Sequence, residues 1–162
     1  MAEQASTMKR DEIYKTIEDF LNLVDNGSVS IEENEERLSL VLDQLALAYH
    51  YITYNFDNKD YPEAPEQDSK TLRQLIVSRF PNFGYYNSPD EFTSNISETK
   101  IVVGDAIDDI LDITIELKDV MWCWQNTSID DALWQFKNGF DTHWGLHLRE
   151  LQLYLLTNSR GQ

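Results

Sequence analysis

The sequence is short of cysteine, proline, glycine and positive charge, and each shortage closes off a class of protein. Its one cysteine, Cys123, leaves no intrachain disulfide to form. Four prolines and six glycines, with no internal repeat and no low-complexity tract, point to one ordinary domain. No stretch approaches the 18 or more apolar residues that read as a bilayer span. The opening Met1–Thr7 lacks a charged segment followed by an apolar run, so no signal peptide is expected and the cytoplasm is the default location. Thirteen Lys and Arg stand against 29 Asp and Glu, a formal net charge of -16. That balance excludes nucleic acid, which is bound through clustered Lys and Arg, and anionic membrane surfaces. It maintains solubility, and it attracts a basic protein, a polyamine or a metal cation.

What is present is core material. Hydrophobic residues make up 41% of the 162 and aromatics 12%, enough for a domain that buries roughly 70% of its unfolded surface. The expected unit is one helical domain over 1–162, with residues 1–9 disordered. Ile13, Ile17, Phe20, Leu21 and Val24 recur at helical spacing and predict a helix over 11–25, stopped at Asn26-Gly27. Ser30, with Glu33 three residues on, opens a second helix expected to reach about Phe56. That helix carries apolar residues on two sides, which predicts a central position. Asp68 or Ser69 caps a short helix ended by Pro81.

The aromatic segment 81–98, interrupted by Gly84 and Pro89, is expected to be an ordered connection packed on the bundle. A fourth helix is predicted from Ser97 to Trp124 or Gln125. Ile101–Val103 alone suggests a strand, but the 3.6-residue period running on to Met121 favours helix. Ser128 caps a final helix expected to run unbroken to about Thr157. Strict period-two alternation is absent, so no sheet is predicted. The result is an all-α, up-and-down bundle of four long helices plus one short helix.

The last helix carries the candidate chemistry. His143 and His147 are four residues apart, so their rings point the same way on adjacent turns. Interior imidazoles satisfied by carbonyls, tyrosines or an aspartate are the ordinary arrangement for such a pair. Two functional readings stand beside it. The pair is half of a transition-metal site completed by carboxylates, or one imidazole is a general base among Trp and Tyr side chains. Asp105, Asp108, Asp109, Asp112 and Glu116 supply carboxylates, although a helical wheel places them opposite the apolar stripe, where solvent is expected. Glu-x-x-His and His-Glu-x-x-His are both absent. Gly104, Gly139 and Gly145 interrupt helical stretches and suggest close helix approach or room for a bulky neighbour such as Trp134 or Trp144, with a ligand groove beside them as the sharper alternative. Cys123 reads as a packed thiol.

Three strings, Phe80–Tyr86, Val103–Ile113 and Trp134–His147, carry a resemblance. With their spacing they resemble the bacterial domain-of-unknown-function family DUF5063, over most of the chain. The resemblance implies a helical fold and brings no activity, substrate or cofactor. It also suggests that the three strings meet in space, lining one region with Tyr85, Tyr86, Asp105, Asp109, Asp112, Trp134, His143, Trp144 and His147. The function expected is that of an interaction or regulatory module with a basic protein partner and no cofactor. The alternative is a metal-binding or metal-dependent protein using His143 and His147.

Overall fold

The computed structural model describes residues 2–160, with side chains described from Arg10 to Ser159. The disorder expected for residues 1–9 falls on positions outside those described in full. Helix α1 spans Ala2–Asp25. Its stripe Ile13, Ile17, Phe20, Leu21 and Val24 is buried. Gly27 takes φ +56°, the left-handed conformation that ends a helix without a Cβ penalty. Helix α2 spans Ile31–Tyr49, and the Ser30 hydroxyl accepts from the Glu33 amide as its N-cap. It ends seven residues before the expected Phe56. Leu40 and Leu47 are exposed, so α2 packs on one face and is not central.

The stretch after α2 is pinned by one carboxylate. Oδ2 of Asp57 accepts from the hydroxyls of Tyr61 (2.7 Å) and Ser128 (2.6 Å). Helix α3 follows at Ser69–Arg79, capped by Asp68.

The main departure from expectation is a two-stranded antiparallel sheet, β1 at Tyr85–Pro89 and β2 at Ile101–Asp105. The β-branched run Ile101-Val102-Val103 is a strand after all. The fourth helix, α4, starts later, at Ala106–Asn126. Its cap is Asp105, not Ser97: the Asp105 carboxylate accepts from the Ile107 amide at 2.9 Å. Val103, expected in the fourth helix, is exposed in β2. Tyr85 and Phe92 are exposed as well, while Phe80, Phe83 and Tyr86 pack against the core as expected.

The final helix is continuous but not uniform. Helix α5, Ile129–Gly139, is capped by Ser128 and passes into a π-helical turn over Phe140–Trp144. Helix α6 continues from it over Gly145–Arg160. Counting α5 through α6 as one rod, four long helices and one short helix form the bundle, as the periodicity predicts. Helix α4 lies at the centre, in contact with α1, α3, α5 and α6. Its inner face, Ile107, Ile110, Ile113, Leu117 and Val120, meets Phe20, Phe136, Trp144 and Leu148 in one core. Each such side chain contributes about 1.5–3 kcal/mol on full burial. Cys123 belongs to this core, and burial pushes its thiol up to about 11, as befits a packed residue. Trp122 and Trp124 are both partly buried, so neither is given up to solvent. Among the described residues no helix is long and apolar enough to cross a membrane.

Candidate metal centre

On α4, Asp109, Asp112 and Glu116 are spaced i, i+3 and i+7, which puts them on one flank. That flank faces the histidines. Nδ1 of His147 lies 2.7 Å from Oδ1 of Asp109, and its Nε2 lies 3.2 Å from Oδ2 of Asp112. Nδ1 of His143 lies 2.8 Å from Oε1 of Glu116. The two imidazole centroids are 5.0 Å apart. The solvated acidic face expected of α4 is therefore split. Asp108 stays outside and pairs with Arg73. Asp109 is only 3% exposed, because α6 and the β-hairpin cover it.

Three local features build this arrangement. In the π turn the Gly145 amide donates to the Phe140 carbonyl, five residues back. The wider turn changes the phase of the helix. Trp144 goes fully inward, against Phe136 and Phe140, and the histidines move to the flank. The His143 side chain is 47% exposed and that of His147 25%, so neither imidazole is interior, contrary to the expectation of an unbroken rod. Gly139 makes room for this packing. A Cβ there would sit 2.8 Å from Oε2 of Glu116 and 3.0 Å from the Trp144 ring. In the hairpin, Tyr86 pairs across from Gly104, and a side chain at 104 would overlap the tyrosine ring. Strand alternation then points Tyr86 and Ser88 at the bundle and Tyr85 away from it.

Behind the histidines lies a hydrogen-bonded support. The Tyr86 hydroxyl donates to Oδ2 of Asp109, and the Ser88 hydroxyl donates to Oε1 of Glu150 at 2.6 Å. Burial raises the Asp109 carboxyl above its ordinary range, while the His147 and Tyr86 hydrogen bonds pull the other way without cancelling it. The hydrogen bond to Asp109 raises His147, against the effect of burial. Desolvation, and then the hydrogen bond to Asp109, raise Tyr86, fixing it as a neutral donor. Asp109 and His147 are thus a coupled pair, the carboxyl raised by burial and the imidazole raised by its hydrogen bond to the carboxyl.

Two groups of three side chains could each hold a cation, with ligand atoms all within 4.8 Å: Asp112, His143 and His147, and Asp109, His147 and Glu150. The second group already accepts the hydroxyl protons of Tyr86 and Ser88. The first is differently placed. Each of its histidines has Nδ1 held by a carboxylate, which leaves Nε2 as the outward donor atom. Metal-binding histidines are oriented in this way, the far ring nitrogen donating to a carboxylate.

Of the residues expected to line one region, the structure brings Tyr86, Asp109, Asp112, His143 and His147 together. Trp144 lies beneath them, with its buried Nε1 unpartnered among the described residues. Asp105 is drawn off to Arg73 at 2.8 Å. Tyr85 faces outward, and Trp134 packs against Phe56 instead. Glu150 and Ser88 were not anticipated. Glu150 had a readable signal, because it follows His147 by three residues on the same helix face. Ser88 had none, since no strand was expected there. Glu116 was counted among the carboxylates of α4 but not placed in the region.

Fold and site together define a helical bundle with a histidine–carboxylate cluster between two helices, flanked by a β-hairpin. The chain belongs to the family described as "Domain of unknown function (DUF5063)", which matches residues 5–156. No curated protein shows significant similarity to it. The crystal structure of protein BF1032 from Bacteroides fragilis has a similar fold, with TM-score 0.62 at 17% identity over 90% of this chain and 91% of that one.

Proposed function

We propose that the chain binds one divalent transition metal ion, zinc in the first instance, through Nε2 of His143, Nε2 of His147 and a carboxylate oxygen of Asp112. One observation carries this reading: His147 Nε2 and Asp112 Oδ2 are 3.2 Å apart while each histidine is braced by its own carboxylate. Ligand atoms about 2.0–2.1 Å from a tetrahedral zinc ion are about 3.3 Å apart, so this spacing needs little adjustment. Two imidazoles and one carboxylate leave a coordination position open, the pattern of metal sites that also bind water or a ligand. The metal would supply Lewis acidity at that position. Asp109 and Glu116 would hold the rings in the metal-binding tautomer, and the net charge of -16 favours cation capture. A free, buried Cys123 supports a reducing, cytoplasmic setting.

Cobalt(II) tests the reading by colour. One equivalent added to metal-free protein is expected to give visible absorption bands of a nitrogen- and oxygen-ligated ion, displaced by zinc and absent from His147→Gln. Bands that are missing in the wild type, or unchanged in the variant, would contradict it.

A further inference from the structure

A groove of about 1020 Å³ runs between α2 and the end of α6, away from the histidines. One wall carries Glu32, Glu35, Glu36 and Asp43 of α2. The other carries Leu155 and Leu156 of α6, with Phe83 also lining it. Among the described residues no Lys or Arg lines it. Oε1 of Glu35 is buried and has no hydrogen-bond partner among the described residues. Leu156 is half-exposed although it belongs to an apolar wall.

We infer that this groove is the docking site of a partner protein, which inserts a basic amphipathic helix with its cationic side on α2 and its apolar side on Leu155, Leu156 and Phe83. The occupant follows from charge, shape and length. Four carboxylates with no counter-cation among the described residues call for several positive charges in a row. They do not gather on one point as the metal-binding groups do, so a single ion does not satisfy them. From Glu32 to Asp43 is about 16 Å of helix, or three turns, which sets the length of a matching helix. The volume is at the top of the range for small-molecule pockets, and the leucine wall gives a polyamine nothing to pair with its charges. A second copy of this chain brings another net charge of -16 and is repelled. An amphipathic helix in a groove satisfies both walls at once.

The test uses fluorescence anisotropy of a labelled 14-residue model helix, with lysines on one face and leucines on the other. The intact chain is expected to bind this probe, and binding should weaken steeply with added salt. Glu32→Gln/Glu36→Gln should weaken it about tenfold. Leu156→Ser, which leaves the charge unchanged, should do the same, while His143→Gln/His147→Gln should leave it intact. Glu32, Glu36, Leu156 and His143 are exposed while His147 is largely buried, and circular dichroism checks that each variant is folded. Any of four results overturns the inference: no binding, equal binding by the groove variants, equal binding of a probe with Glu in place of Lys, or displacement by equimolar spermine. Light scattering showing that the free chain dimerises through this face, with Leu156→Ser abolishing the dimer, would overturn it too.

Discussion

Asp109 and His147 face each other across two helices at 2.7 Å, from Oδ1 to Nδ1, with the aspartate almost wholly out of water. This pairing sets both the charge and the orientation of the imidazole. Asp109→Asn keeps the size and removes the charge. It should lower the His147 pKa toward the ordinary imidazole range, followed by NMR titration of the ring protons. Metal affinity should fall about 10- to 100-fold, the usual cost of losing such a partner. An unchanged titration would show that Asp109 does not control the ring.

Tyr86→Phe removes one hydroxyl and leaves its packing. The variant strips a donor from the buried Asp109 carboxylate. Leaving a buried charged acceptor short of a partner costs about 1–3 kcal/mol, so the urea midpoint should drop accordingly. With its donor gone, Asp109 should titrate higher still, since that hydrogen bond lowers it. A midpoint equal to wild type would place the hydroxyl outside the network.

The pH dependence of stability has a definite sign. The folded-state pKa of His147 lies above its ordinary value, first because of the hydrogen bond to Asp109. The stabilisation from its charged form is therefore complete below the unfolded pKa of about 6.5 and is lost as pH rises through the folded value. Wild type should exceed His147→Gln in stability by more at pH 6 than at pH 9, read from urea midpoints without metal. Metal binding has the opposite trend, because Nε2 must lose its proton before it can ligate. A stability difference that is flat, or larger at pH 9, would contradict the ion pair.

Gly139→Ala tests the π turn. On propensity alone alanine stabilises a helix by up to about 1 kcal/mol. Here its Cβ would press on Glu116 and on the buried Trp144 ring, and overpacking of this kind costs about 1–3 kcal/mol. We expect net destabilisation together with weaker metal binding, as Glu116 is displaced from His143. A more stable protein with unaltered affinity would show that the gap at 139 is incidental.

Much of the scaffold was legible because local rules decided it. Ser30, Asp68 and Ser128 cap helices as their spacing requires, and Gly27 ends α1 in the left-handed conformation. The histidine pair was legible from its i, i+4 spacing. Three things were not, each for a physical reason. The strand Ile101–Asp105 runs directly into α4, so its apolar residues join the helical period that follows, although Ile101, Val102 and Val103 are all exposed in the structure. The burial of Asp109 depends on α6 and the hairpin, and a helical wheel of α4 contains neither. The phase change in the last helix arises from a π turn, and the only signal in the chain is the pair of glycines, 139 and 145, that bracket Phe140–Trp144. That phase change decides whether the imidazoles are core or surface.

The most direct measurement is isothermal titration of zinc into metal-free protein, run on the wild type, on His143→Gln/His147→Gln and on His50→Gln. His50, at the end of α2, is the remaining histidine and the control. The account predicts one equivalent bound by wild type and by His50→Gln, with binding abolished in the double variant. Equal binding by all three, or none by any, would contradict it.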